Sequence, residues 1–119
     1  MASKMYTVTI DCANLASLAR FWASVLDYRI DYEDEEEVSI ESSDGSESAL
    51  LFVKVLDVKA VKNRIHFDLN PDDQATEVDR LMGLGATKVD IGQGDTTWVV
   101  MADPEGNEFC VLTHKDADE

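Results

Sequence analysis

The stretch that decides the fold is Asp103-Pro104-Glu105-Gly106-Asn107-Glu108-Phe109-Cys110-Val111-Leu112. Pro104 and Gly106 occupy positions at which a type I turn favours a fixed φ and a permissive residue, respectively. The residues that follow form a short apolar segment, which is typical of a β-strand. The stretch therefore predicts a tight turn followed by the last strand of a sheet.

The residues before this hairpin predict a strand and a helix. Polar and apolar residues alternate from Arg64 to Leu69, so Ile65 is expected to be buried beneath a helix and His66 to face the other way. Asn70 is expected to cap the helix, with Pro71 at its first position. The helix is expected to bury Ala75, Val78, Leu81 and Met82 and to end at Gly83 or Gly85. Further strands are expected near Thr87–Ile91, Thr96–Ala102 and Glu108–Thr113.

The first half of the chain has the same order of elements. A strand near Tyr6–Asp11 precedes a helix that Asn14 caps and that ends near Leu26. Strands are then expected near Tyr28–Tyr32, Val38–Glu41 and Ala49–Val55. We therefore predict one α+β domain, residues 1–119, made of two βαβββ modules at about residues 5–57 and 62–114. Their strands would form a curved mixed sheet with the helices outside.

Composition excludes several classes of function. The net charge is −15, from 25 acidic and 10 basic residues, so no basic patch is available for nucleic acid or an anionic membrane. No apolar run is long enough to span a bilayer, which predicts a cytoplasmic protein. Cys12 and Cys110 are too few for a disulfide framework, and strand parity puts them on different layers.

The final hairpin and the segment Lys62-Asn63-Arg64-Ile65-His66-Phe67-Asp68-Leu69 resemble the vicinal oxygen chelate superfamily, in particular its small glyoxalase-like members. This superfamily includes glyoxalase I, extradiol dioxygenases, and fosfomycin and bleomycin resistance proteins. The resemblance covers nearly the whole chain. It implies an open trough between the modules and, in members that use a metal, four ligands: His or Gln, Glu, His and Glu.

Carried onto this sequence, the four ligand positions fall on Thr7, Phe52, His66 and Cys110. Thr7 is placed by the spacing to Asn14-Leu15, which is similar to the family's opening motif. His66 alone has the family's residue type, and Phe52 offers no donor atom. We therefore predict no resident cofactor, and the alternative is a weakly held divalent metal at His66 and Cys110.

The resemblance and the strand parity together predict the residues that line the trough. His66 is the candidate catalytic residue, because an imidazole titrates near neutral pH. The alternative is a structural histidine bonded to Asp68, Asp11 or a backbone carbonyl. Cys110 is either a small buried hydrophobe or a thiolate activated by a nearby cation. The predicted lining is Thr7, Thr9, Phe52, Arg64, His66, Asp68, Glu108 and Cys110.

These features favour a metal-independent pocket for a small organic molecule, with sequestration of the bleomycin-resistance type as the expected role. The alternative is a metal-dependent lyase, isomerase or dioxygenase-like enzyme that uses His66. A third hypothesis is an interaction module whose trough is filled by its own side chains. We also predict a two-fold homodimer, because small domains gain buried area by pairing.

Overall fold

The computed structural model describes residue 2, residues 5–56 and residues 59–116. The chain divides into two compact units, residues 1–58 and 59–119, and each is described by itself. In the described part of the chain, neither helix is both long and apolar enough to cross a membrane.

The first unit is a four-stranded sheet with one helix. The sheet has the order β1-β4-β3-β2, in which β1 and β4 are parallel and the other neighbours are antiparallel. Its elements are β1 (Val8–Cys12), α1 (Leu15–Leu26), β2 (Arg29–Glu33), β3 (Glu37–Glu41) and β4 (Leu50–Lys54).

The second unit repeats this arrangement. Its sheet has the order β5-β8-β7-β6, again with the first pair parallel and the others antiparallel. Its elements are β5 (Asp68–Leu69), α2 (Gln74–Leu84), β6 (Thr87–Lys88), β7 (Val99–Ala102) and β8 (Glu108–Val111). The predicted α+β fold with two βαβββ modules is confirmed.

The register of the parallel strands is also repeated. Thr9 is paired with Leu51 in the first unit, and Asp68 is paired with Cys110 in the second. Each member of the second pair lies 59 residues beyond its counterpart. Because paired residues of neighbouring strands point to the same face, equivalent positions in the two units can be compared directly.

Helix α1 forms as its sequence predicts. The Asn14 side chain accepts a hydrogen bond from the Ser17 backbone N–H at 3.4 Å, and Asp27 ends the helix in the left-handed conformation with φ of 56°. Trp22 is buried in the apolar stripe, and its ring meets that of Phe21 edge to face at 5.2 Å. The stripe buries Leu15, Leu18, Ala19, Phe21, Trp22 and Val25.

Helix α2 begins later than predicted. Asp73, not Asn70, is the N-cap, and its carboxylate accepts a hydrogen bond from the Thr76 backbone N–H at 3.0 Å. Asn70 is unavailable as a cap because its side-chain amide N–H donates to the Lys115 carbonyl and its amide oxygen accepts from the Lys115 N–H. Among the residues expected to be buried, Val78 and Leu81 are buried, whereas Ala75 and Met82 are exposed. Gly85 ends the helix at φ 116°.

The prediction of a strand from Arg64 to Leu69 is wrong for its first four residues. Strand β5 contains only Asp68 and Leu69, and Ile65 is 83% exposed. Asn63 is the cause, because its side-chain amide donates to the backbone carbonyls of Ile65 and Glu108, both at 3.2 Å. These contacts replace strand pairing at the start of the segment, and pairing begins with the hydrogen bond from the Cys110 N–H to the Phe67 carbonyl.

The turn before β8 forms where the sequence predicts it. Gly106 has a φ of 86°, and its N–H donates to the Asp103 carbonyl at 2.9 Å. The buried Asp103 carboxylate accepts hydrogen bonds from the backbone N–H groups of Glu105 and Asn107. The turn thereby fixes where β8 starts, and with it which of its side chains share a face.

Candidate functional site

The candidate site lies on one face of the second sheet, where β5 and β8 run side by side. Asp68 and Cys110 are register partners, and the Cys110 backbone N–H donates to the Phe67 carbonyl at 2.9 Å. Their side chains therefore project from the same face. Glu108 shares this face because it is two residues from Cys110 on the same strand.

His66 completes a cluster with these two residues. Its Nε2 is 3.2 Å from the Asp68 Oδ1, and the side chains of His66 and Asp68 are 44% and 52% exposed. Donor atoms of His66, Asp68 and Cys110 all lie within 4.8 Å of one another. The contact with Asp68 is one of the alternatives that the sequence left open for His66, and the exposed imidazole is also accessible to a ligand.

The surroundings of Cys110 favour the protonated form of its thiol. Burial raises the pKa of Cys110, and the charge of the Asp68 carboxylate and a hydrogen bond to it raise that pKa further, whereas Lys62 lowers it. A protonated thiol is a poor nucleophile, which disfavours the activated thiolate considered from the sequence.

Glu108 lies in a separate set of contacts, which we call the Glu108 clasp: Glu108, Lys59 and Asn63. Lys59 Nζ is 2.8 Å from Glu108 Oε2, and Oε1 accepts a hydrogen bond from the Asn63 N–H at 3.2 Å. Oε2 is buried, and the Lys59 ammonium is the charged group that lies against it. Burial opposes ionisation, but Lys59 and backbone N–H groups hold the pKa of Glu108 below its usual range.

Lys59 and Asn63 were not among the residues predicted from sequence. They lie outside regular strands, so no alternation pattern could assign them a face. The predicted site residue Arg64 lies in the exposed bend that follows them. Of the predicted lining residues in this unit, the structure brings together His66, Asp68 and Cys110, and it places Glu108 in the clasp on the same face.

Phe52, the predicted pocket residue of the first unit, is placed in the hydrophobic core instead. It is fully buried, and its register partners are Ile10 on β1 and Val38 on β3. Leu51, the partner of Thr9, occupies the position equivalent to Cys110. The sequence prediction for Phe52 therefore points to the wrong face.

The other two predicted residues of the first unit lie on the Leu51 face. Thr9 is exposed, and the Thr7 hydroxyl donates to the Ala49 carbonyl at 3.0 Å. Neither Leu51 nor Phe52 has a side-chain donor atom for a metal, and the Thr7 hydroxyl is already bonded. The residues present therefore do not fit the four-ligand metal centre that the family resemblance implies.

Each βαβββ unit contains one parallel pair of strands, and its other strand pairs are antiparallel. Two such units define an α+β protein of the vicinal oxygen chelate class. The sequence matches the glyoxalase-like domain family over residues 7–112, and the chain belongs to that family. A comparison with curated protein sequences found no significant match.

Solved structures with the same fold are distant in sequence. The fosfomycin resistance protein FosX from Mesorhizobium loti is 17% identical, with a TM-score of 0.71. The aligned region covers 99% of this chain and 97% of the FosX chain. A FosX E126Q mutant from Listeria monocytogenes, complexed with Mn(II) and 1S,2S-dihydroxypropylphosphonic acid, is 15% identical, with 97% and 93% coverage and a TM-score of 0.70. A glyoxalase/bleomycin resistance protein/dioxygenase family enzyme from Burkholderia phytofirmans PsJN is 16% identical, with 89% and 94% coverage and a TM-score of 0.67. At these identities the likeness concerns the fold alone.

Proposed function

We propose that this protein binds a small organic molecule at the polar face formed by β5 and β8, without the metal centre of its metal-using relatives. The observation that carries the proposal is the half-exposed His66–Asp68 pair beside the buried Cys110 thiol. Such a face offers an imidazole, a carboxylate and a thiol, the few polar groups that orient a ligand in a pocket. Sequestration of that molecule is the proposed role, because a thiol whose pKa is raised is a poor nucleophile.

The charge of the chain indicates which molecules are favoured. With a net charge of −15, the protein attracts cationic molecules and repels anionic ones at long range. A cationic drug of the bleomycin kind is therefore a better candidate than a phosphonate such as the ligand of the Listeria FosX structure. Binding of an uncharged molecule with one or two polar groups is also compatible with this face.

The test is a thermal-shift screen of small molecules, including bleomycin and fosfomycin, run with and without EDTA. We expect a stabilising ligand whose effect survives EDTA and is lost in His66→Ala. Arg80→Ala is the matched control, since Arg80 pairs with Glu77 on helix α2 and belongs to neither β5 nor β8. A ligand that stabilises the protein only when a divalent metal is added would contradict the proposal and support the metal-dependent enzyme.

We further propose that the protein acts in the cytoplasm as a two-fold homodimer. A second copy would bury surface that a chain of 119 residues leaves exposed. This gain opposes the repulsion between two chains that each carry a net charge of −15. Light scattering at physiological salt is the measurement. The mass of a single chain would contradict the dimer.

A further inference from the structure

The cluster of His66, Asp68 and Cys110 has the composition of a metal site, although it is not the ligand set that the family resemblance implies. An imidazole nitrogen, a carboxylate oxygen and a sulfur are grouped within 4.8 Å, and all three belong to the second unit. Asp68 occupies none of the four family positions. Elsewhere in residues 5–56 and 59–116, no other three such side chains are grouped in this way.

We infer that this cluster reversibly binds a thiophilic divalent cation, Zn²⁺ in the first place, and discriminates against Mn²⁺. Thiolate and imidazole are preferred ligands of zinc, whereas Mn²⁺ prefers sites made mainly of oxygen. The replacement of a family glutamate by Cys110 therefore changes which metal is selected, in addition to weakening the site. The inference does not rest on the proposed function, because small-molecule binding at this face requires no ion.

The distances allow a zinc site after small side-chain rotations. With bonds of about 2.3 Å to sulfur and about 2.0 Å to nitrogen or oxygen, donors around a tetrahedral ion are roughly 3.3–3.5 Å apart. His66 Nε2 and Asp68 Oδ1 are already 3.2 Å apart. Cys110 is fixed by the β5–β8 ladder, but the half-exposed His66 and Asp68 side chains are free to close the remaining gap of about 1 Å.

The same surroundings make the site weak. Three protein ligands leave a fourth position to water, and the thiol proton must pass to solvent when the sulfur–zinc bond forms. Lys62 acts electrostatically on Cys110, and its positive charge opposes a cation there. We therefore expect protein purified in the presence of a chelator to be free of metal and to take up Zn²⁺ when it is supplied.

The test uses the full chain with Co²⁺ as a spectroscopic substitute for Zn²⁺. We expect a near-ultraviolet thiolate-to-cobalt charge-transfer band that saturates at one ion per chain, is abolished by Zn²⁺ and is unaffected by Mn²⁺. Cys110→Ser should remove the band. Asp68→Asn and His66→Ala should each weaken Zn²⁺ binding at least about tenfold in competition with a chromophoric chelator.

Three control variants separate this site from other groups of the chain. His114→Ala should change nothing, although His114 Nε2 is also close to a carboxylate, 3.3 Å from Asp116 Oδ1, because that pair has no thiol. Cys12→Ser should keep the band, since Cys12 is buried in the first unit. Lys62→Met should tighten Zn²⁺ binding roughly two- to fivefold by removing a repulsive charge.

Several results would overturn the inference. They are the absence of a band at saturating Co²⁺, a band that persists in Cys110→Ser, and equal binding of Mn²⁺ and Zn²⁺. Unchanged Zn²⁺ affinity in Asp68→Asn would also do so, because two ligands would then account for all binding. Thermal melts without metal verify that each variant is folded, and His66→Ala, which truncates a half-exposed side chain, provides a folded variant if Cys110→Ser is unstable.

Discussion

Replacing Phe52 by alanine tests which face of the first sheet this residue occupies. Phe52 is fully buried, and its register partners Ile10 and Val38 point to the same face. Truncating a buried phenylalanine typically costs about 3–5 kcal/mol of unfolding free energy, because lost contacts and a cavity both contribute. In a chain of this size 1 kcal/mol corresponds to roughly 4 °C, so we expect Tm to fall by roughly 10–20 °C.

Leu51→Ala is the matched control, because Leu51 is the adjacent residue on the opposite face and is only half-buried. Its truncation should cost about 1–2 kcal/mol, in proportion to the smaller area it buries. Thermal and urea unfolding of both variants give the comparison. If Phe52→Ala costs no more than Leu51→Ala, Phe52 lines a pocket and the assignment of faces from the register is refuted.

Introducing a carboxylate at each position tests the same assignment from the opposite direction. Phe52→Glu would bury an unpaired charge, and we expect that variant not to fold. Leu51→Glu would add its carboxylate on the face of Thr9, and we expect a folded protein. A stable Phe52→Glu variant together with an unfolded Leu51→Glu variant would reverse the two positions.

Two further predictions concern single elements. His66→Ala and Ile65→Ala should each leave the unfolding free energy within about 0.5 kcal/mol of the parent, because His66 is half-exposed and Ile65 is 83% exposed; a clear loss in thermal melts would contradict this. Asp73→Ala removes the cap of α2 and should lower Tm at neutral pH. Hydrogen bonds to Thr76 lower the pKa of Asp73, so its stabilisation is present above its unfolded pKa and lost as pH falls through the folded pKa. The Tm difference between parent and variant should therefore shrink on acidification, and a difference that is constant with pH would be inconsistent with the cap.

The sequence was sufficient for features that depend on local patterns. Helix α1 could be predicted from its Asn14 cap and its apolar stripe, and the last hairpin from Pro104 and Gly106. The repeated order of elements could be predicted because apolar residues recur in the same succession in each half. They recur every two residues in the strands and about every 3.6 residues in the helices. These local signals agree with each other along the chain, and the structure confirms the fold they predict.

Two assignments required more than local pattern. The apolar run of residues 50–53 has no alternation, so nothing in it distinguishes the face of Leu51 from that of Phe52, and a slip of one residue exchanges the two faces. The alternation from residue 64 to residue 69 is genuine, but side-chain bonds from Asn63 prevent the strand from starting there. Such contacts join residues far apart in sequence, as between Asn63 and Glu108, and periodicity cannot detect them.

The equal register of the two parallel strand pairs makes the cluster transferable by design. Thr9 and Leu51 stand in the first unit where Asp68 and Cys110 stand in the second, and Thr7 precedes Thr9 by two residues as His66 precedes Asp68. The triple replacement Thr7→His, Thr9→Asp and Leu51→Cys would therefore place the same three donor types at the same spacing along the chain. A protein engineer could thus use one half of the chain as the template for the other and test two copies of the cluster within 119 residues.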